Sequence, residues 1–205
     1  MDADAGLDES TVAPDPFVEF ARWHEAAVDT TDDRAAAMTL ATATPGGAPS
    51  ARVVLLRGFD DRGFLFFTNY DSRKASELAV NDRVALVWYW PDLDRQVRVE
   101  GRASRVSEAE SDRYFESRPR GHQLGAWTSP QSSPIESRAA LVERLTQTEH
   151  RFSDPSAIIA RPGFWGGYRV EPAVFEFWVG RTDRLHDRVR YARSSDGWLI
   201  ERLAP

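Results

Sequence analysis

The chain has 205 residues, a net charge of −6, no cysteine and four histidines, a length that suits one domain with a sizeable core. The missing cysteines exclude disulfides, thiolate metal sites and a cysteine nucleophile, and His24, His122, His150 and His186 are too scattered for a zinc or iron site, so no metal is expected. No apolar run reaches the length of a bilayer and no basic-then-apolar leader opens the chain, which predicts a soluble, cytoplasmic protein with no membrane partner.

Residues 1–14 are acidic and poor in large apolar side chains, and predict a flexible tail ahead of a single domain over 15–205. Ten acids and one arginine fall within residues 1–33, so the remainder is weakly cationic. Without a lysine-rich stripe, that balance points to small anions rather than nucleic acid. Asp15 and Pro16 open a helix whose apolar spacing lasts to about Val28. Strands follow over Ala37 to Thr44, Ala51 to Gly58 and Phe64 to Asn69, separated by turns at Gly46-Gly47 and at Asp60 to Gly63. Ser72 is placed to cap a short helix, and Arg83 to Trp90 and Arg95 to Val106 read as strands, the second with Gln96, Arg98, Glu100 and Arg102 on one face. Helices are predicted over Ser107 to Arg118 and Pro134 to Phe152, with a polar loop between them that carries Trp127. Four short strands close the chain: WGGYRVEP, AVFEFWVG, RVRYARS and GWLIERL. The fold class is therefore mainly β with peripheral helices, a closed or nearly closed antiparallel barrel, with a sandwich as the alternative.

Three clusters suggest chemistry. Ser72, Arg73 and Lys74 stand where a strand gives way to a helix, a place where free amide N–H groups and full cations favour a phosphate; a merely capped helix is the plain alternative. Arg52 and Arg57 have odd spacing, so they share a face only if the strand bulges or Arg57 lies past its end. In RLHDRVR, an extended chain would put Arg184, His186, Arg188 and Arg190 on one side; the alternative is a solvated edge strand with ion pairs to Asp183 and Asp187.

Together RVVLLR, FFTNYDSRKASEL, RQVRVEGRASRVS, YFESRPR, GAWTSPQSS, FWGGYRV, FEFWVGRTDRLHDR and the terminal RLAP resemble the pyridoxine/pyridoxamine 5′-phosphate oxidase family over residues 15–205. The resemblance implies an FMN-binding split antiparallel barrel and a homodimer with FMN between subunits. It implies FMN contacts at Arg52, Val53, Val54, Leu55, Leu56, Arg57, Phe67, Thr68, Arg73, Lys74, Gln96, Gln131, Ser132, Trp178 and Arg188. Implied substrate contacts are Arg57, Tyr114, Arg118, His122, Arg184 and His186, with Arg184 and His186 at the reacting end. The implied reaction moves a hydride from the substrate to flavin N5 and then electrons to O2, giving pyridoxal 5′-phosphate and H2O2.

The substrate half departs from the family pattern: Arg57 stands for the usual lysine, His122 for a serine, and residues 1–14 lack a basic, tyrosine-bearing segment. A phenazine-biosynthesis type of FMN oxidase acting on another reduced heteroaromatic is therefore an alternative, and a flavin- or haem-binding split barrel without turnover is a second.

Overall fold

The computed structural model describes residues 6–205. Helix α1 (Pro16–Thr31) starts where expected, with the Phe17 N–H donating to the Asp15 carboxylate at 2.9 Å, and runs three residues beyond Val28. Strands β1 (Ala37–Ala43), β2 (Pro49–Leu55), β3 (Gly58–Asp60) and β4 (Gly63–Asn69) lead to helix α2 (Arg73–Val80). Then come β5 (Arg83–Trp90), β6 (Arg95–Arg105), helices α3 (Glu108–Glu116), α4 (Arg120–Thr128) and α5 (Arg138–Arg151), and finally β7 (Trp165–Val179), β8 (Asp187–Ser194) and β9 (Gly197–Arg202).

The nine strands of the described residues form one antiparallel sheet, ordered β2-β1-β5-β6-β7-β4-β3, with β8 and β9 continuing from β7. The two C-terminal strands predicted from WGGYRVEP and AVFEFWVG are one strand, bent where the β6–β7 register shifts beside Gly101. A side chain on Gly101 would lie 2.1 Å from the Glu171 carbonyl, so only glycine lets the two strands cross this bend. Before it β7 pairs with β4, and after it with β8.

This branching curls the sheet into a barrel that does not close completely. The Arg57 N–H donates to the Leu65 carbonyl at 2.8 Å, joining the end of β2 to β4; beyond that point the two strands diverge. Alternation fills the interior: Leu86, Trp88, Val97, Val99, Phe175 and Phe177 point inward, and α1 plugs the barrel with Phe17, Phe20 and Trp23. Phe20 packs edge-on against Phe64 and Trp88 at about 4.9 Å between centroids.

Two further expectations are corrected. The polar loop before Gln131 contains α4, which forms because Leu124 buries in the satellite cluster with Phe115, Ile159 and Trp165, outweighing two glycines that hide the helical pattern. Helix α5 begins at Arg138, capped by the Ser137 hydroxyl accepting from the Ala140 N–H at 3.0 Å, four residues after Pro134. Of residues 1–14, expected to form a flexible tail, 1–5 lie outside the described residues; within the rest, residues 8–11 are exposed while Leu7 and Ala13 are buried. Leu7 joins the core, and the buried Tyr191 hydroxyl donates to the Ala13 carbonyl at 2.8 Å.

Candidate active site

A cavity of about 690 Å³ occupies the seam where β2 and β4 part. Strand β2 pairs only with β1 among the described residues, so its outer backbone edge at Val53 to Leu55 is free to bond a ligand along one wall. Because β2 ends at Leu55, Arg57 lies past the strand and reaches the same cavity as Arg52, resolving their odd spacing. Leu56, which the resemblance counts among the flavin contacts, is buried in the core, and its N–H donates to the Ala36 carbonyl.

The floor is aromatic. Phe67 of β4 stacks on Tyr114 of α3 with centroids 3.8 Å apart, and Trp165 at the start of β7 lies nearly parallel to both. Gly167 permits this stack, since a side chain there would come within 2.7 Å of the Phe67 ring. Trp165 was not singled out from sequence, although its position before two glycines was a usable signal of close packing.

Cations line the walls without a facing carboxylate: Arg52, Arg57, Lys74 and Arg118 reach the cavity, with His122, and no acid does among the described residues. Lys74 is only 8% exposed. Its ammonium donates to Thr68 Oγ1 at 3.0 Å, Gln131 Oε1 at 2.9 Å and Ser72 Oγ at 3.3 Å, all neutral acceptors. Burial, and then the nearby Arg52, pushes the Lys74 pKa down to about 8. Ser72 does not cap α2 through its side chain; its hydroxyl donates to the Asn69 carbonyl at 2.7 Å and accepts from Lys74. Arg118 lies 4.6 Å over the Trp165 ring, and its buried Nη1 has no hydrogen-bond partner among the described residues. Burial lowers its pKa, with Tyr114 opposing and Arg57 reinforcing the shift.

Arg52 is held from behind. The buried Glu77 of α2 accepts from Arg52 at 3.3 Å, from Ser50 at 2.6 Å, from Thr42 and from Arg73 at 2.9 Å. Despite burial, these bonds hold the Glu77 pKa down at about 2. Arg73, which the resemblance makes an FMN contact, bonds Glu77 and does not line the cavity, and Glu77 is a site residue that the sequence motifs do not single out.

The remaining expected residues form a second group outside this cavity. Gln96, Trp178 and Arg188 are aligned across β6, β7 and β8 by direct pairing. Arg188 donates to Glu176 at 2.8 Å and to the Ala204 carbonyl at 2.9 Å. The His186 ring is 4.6 Å from Trp178. Strand β8 begins only at Asp187, after a turn in which Asp183 (φ 56°) and Arg184 (φ 61°) are left-handed. Arg184 and His186 are therefore not on the strand, and the alternating row of four cations shrinks to Arg188 and Arg190. Arg184 is exposed, and Ser132 is exposed at φ 71° without lining the cavity.

Among solved structures, PhzG from Burkholderia lata 383 in complex with tetrahydrophenazine-1-carboxylic acid superposes with a TM-score of 0.89 at 31% identity, covering 98% of each chain. A pyridoxamine 5′-phosphate oxidase-related, FMN binding protein from Nostoc punctiforme shares the fold, with a TM-score of 0.73 at 19% identity over 93% of this chain and 98% of that one. The class is that of the split-barrel oxidoreductases. Residues 25–152 match the family described as pyridoxamine 5′-phosphate oxidase, and residues 165–205 match the pyridoxine 5′-phosphate oxidase C-terminal dimerisation region. Relatives named pyridoxine/pyridoxamine 5′-phosphate oxidase are 57% identical in Rubrobacter xylanophilus, over 98% of this chain and 92% of that protein, and 53% identical in Burkholderia mallei, over 98% and 94%. The chain belongs to the pyridoxamine 5′-phosphate oxidase family.

Proposed function

We propose that the chain is an FMN-dependent oxidase that uses O2 to convert pyridoxine 5′-phosphate to pyridoxal 5′-phosphate and H2O2, or pyridoxamine 5′-phosphate and water to pyridoxal 5′-phosphate, ammonia and H2O2, and that it works as a homodimer. The observation that carries this reading is the cavity's charge: a buried ammonium at Lys74 bonded only to neutral oxygens and an Arg118 Nη1 unpartnered among the described residues, above stacked aromatic rings. Such a site suits a flat heteroaromatic ligand bearing phosphate, and FMN fits it. Lys74 and Arg52 would hold the FMN phosphate, the free edge of β2 would bond the ring, and Thr68 and Gln131 would keep Lys74 aimed. Tyr114, Arg118, Arg57 and His122 would bind the phosphate of the substrate.

FMN, when bound, supplies a hydride acceptor at N5 and passes the electrons to O2. The protein's part is to orient, neutralise charge and exclude water. Gln96, Trp178, Arg184, His186 and Arg188, which lie outside the cavity of their own chain, would complete the cavity of a second copy. The matched dimerisation region and the exposed apolar residues Val53 and Tyr89 on the outer sheet face, 66% and 56% accessible, support such a pairing.

A second reading is favoured by the similarity to PhzG and by Arg57 and His122 beside Arg118: the ligand would be a reduced tricyclic or other heteroaromatic carboxylate. The relatives above 50% identity carry the vitamin B6 name, which supports the first. The test is an oxidase assay on FMN-loaded protein. Peroxide formation with either vitamin B6 phosphate is expected. Full FMN loading with no turnover of either would transfer weight to the second reading, and failure to load FMN would remove both.

A further inference from the structure

The turn between β7 and β8 is strained by two successive left-handed residues, Asp183 and Arg184, yet it carries both side chains assigned to the reacting end. What holds it is a network outside the cavity. The Asp187 carboxylate accepts from Arg181 Nε through Oδ2 and from Arg202 Nη1 through Oδ1, each at 2.8 Å. The backbone N–H of Arg181 donates to His186 Nδ1 at 3.1 Å. With Nδ1 accepting, the neutral imidazole carries its proton on Nε2 and offers that N–H as a donor. Arg202 in turn donates to the Glu9 carboxylate at 2.7 Å and to the Leu7 carbonyl at 2.8 Å, and a side chain on Gly6 would lie 2.9 Å from Arg181.

We propose that Asp187 is a positioning residue: by gripping Arg181 it fixes the backbone N–H that sets the tautomer and aim of His186, and through Arg202 it ties this turn to the N-terminal segment. The proposal rests on the oxidase reading for its kinetic consequence but not for its structural one. Burial alone would raise the Asp187 pKa, but its bonds to Arg181 and Arg202 hold it below the ordinary carboxylate range, keeping both ion pairs charged. The ring itself is spaced for contact with Trp178, so a small rotation of the Arg181 peptide would re-aim it.

Two readouts test this on the full chain. Long-range ¹H–¹⁵N spectra of the four histidines report the tautomer directly: His186 should be in the Nε2–H form in the wild type, mixed in Asp187→Asn, and restored in Asp187→Glu. Anaerobic stopped flow with pyridoxine 5′-phosphate should show the limiting rate of flavin reduction falling roughly tenfold in Asp187→Asn, with half-saturation and FMN affinity within about twofold. In a His186→Ala background the same substitution should add nothing. An unchanged tautomer in folded Asp187→Asn, or an additive double variant, overturns the proposal. Should Asp187→Asn fail to fold, Arg181→Gln breaks the same pair from its other side and is judged by the same signals. If no vitamin B6 phosphate reduces the wild type, the oxidase reading falls while the tautomer still decides the positioning role.

Discussion

At the scale of single residues, the site is governed by where charge is compensated and where it is left open. Arg52 is neutralised by Glu77, whereas Lys74 meets only neutral oxygens. A phosphate beside Lys74 would therefore replace solvation that burial has removed, and charged hydrogen bonds of this kind contribute about 1.5–3 kcal/mol. Lys74→Met is expected to weaken FMN roughly 10- to 100-fold while leaving riboflavin, which lacks the phosphate, nearly unaffected. The sign of the pH effect follows from the lowered pKa. In the ligand-free protein the ammonium is present below about pH 8 and lost above it, so FMN affinity should decline as pH rises past 8. Titrations of flavin fluorescence with both ligands from pH 6.5 to 9.5 measure this; a parallel decline for riboflavin would contradict it.

At the scale of elements, alternation and turn chemistry made the strands legible, and most of the barrel with them. Val97 and Val99 facing inward opposite Gln96 and Arg98 is a pattern any two-period reading detects. Elements stabilised only by tertiary contact were not legible: α4, with its glycines, depends on burying Leu124, and the bend in β7 depends on Gly101 of another strand. The site shows the same division. Lys74, Phe67 and Arg118 were found through the motifs that carry them, and the geometry places them in one cavity. That Arg73 bonds Glu77 while Lys74 lines the cavity is not legible, because the local sequence does not say which of two basic neighbours a helix turns toward a buried carboxylate. The aromatic floor depends on β7 coming close to β4. Gly167→Ala should force Phe67 and Val106 apart, costing ~1–3 kcal/mol of stability and reducing activity more than stability alone would explain. Thermal denaturation beside FMN affinity checks it; a variant as stable and as tight for FMN as the wild type would show the contact to be unimportant.

At the scale of the whole molecule, one face of the sheet is left partly open by the described residues. Val53, Thr39, Val87, Arg98, Glu176 and Arg190 succeed one another across six strands by direct pairing, so the same face that walls the cavity at one edge carries the Gln96–Trp178–Arg188 alignment beside it. A second copy laid on this face by a two-fold axis would bring each alignment to the other chain's seam, twice.

Were the site divided, as proposed, between the seam of one copy and that alignment of another, a genetic consequence would follow. A chain spoiled at Lys74 still carries a sound Arg188, and a chain spoiled at Arg188 still carries a sound Lys74. Mixing the two proteins after unfolding, then refolding them together at an FMN concentration that leaves each parent inactive, should yield hybrids in which one of the two centres is whole. Random reassortment would recover about a quarter of the original turnover from parents that have none. Absence of any such rescue, with hybrids demonstrably formed, would mean that each polypeptide builds its centre alone.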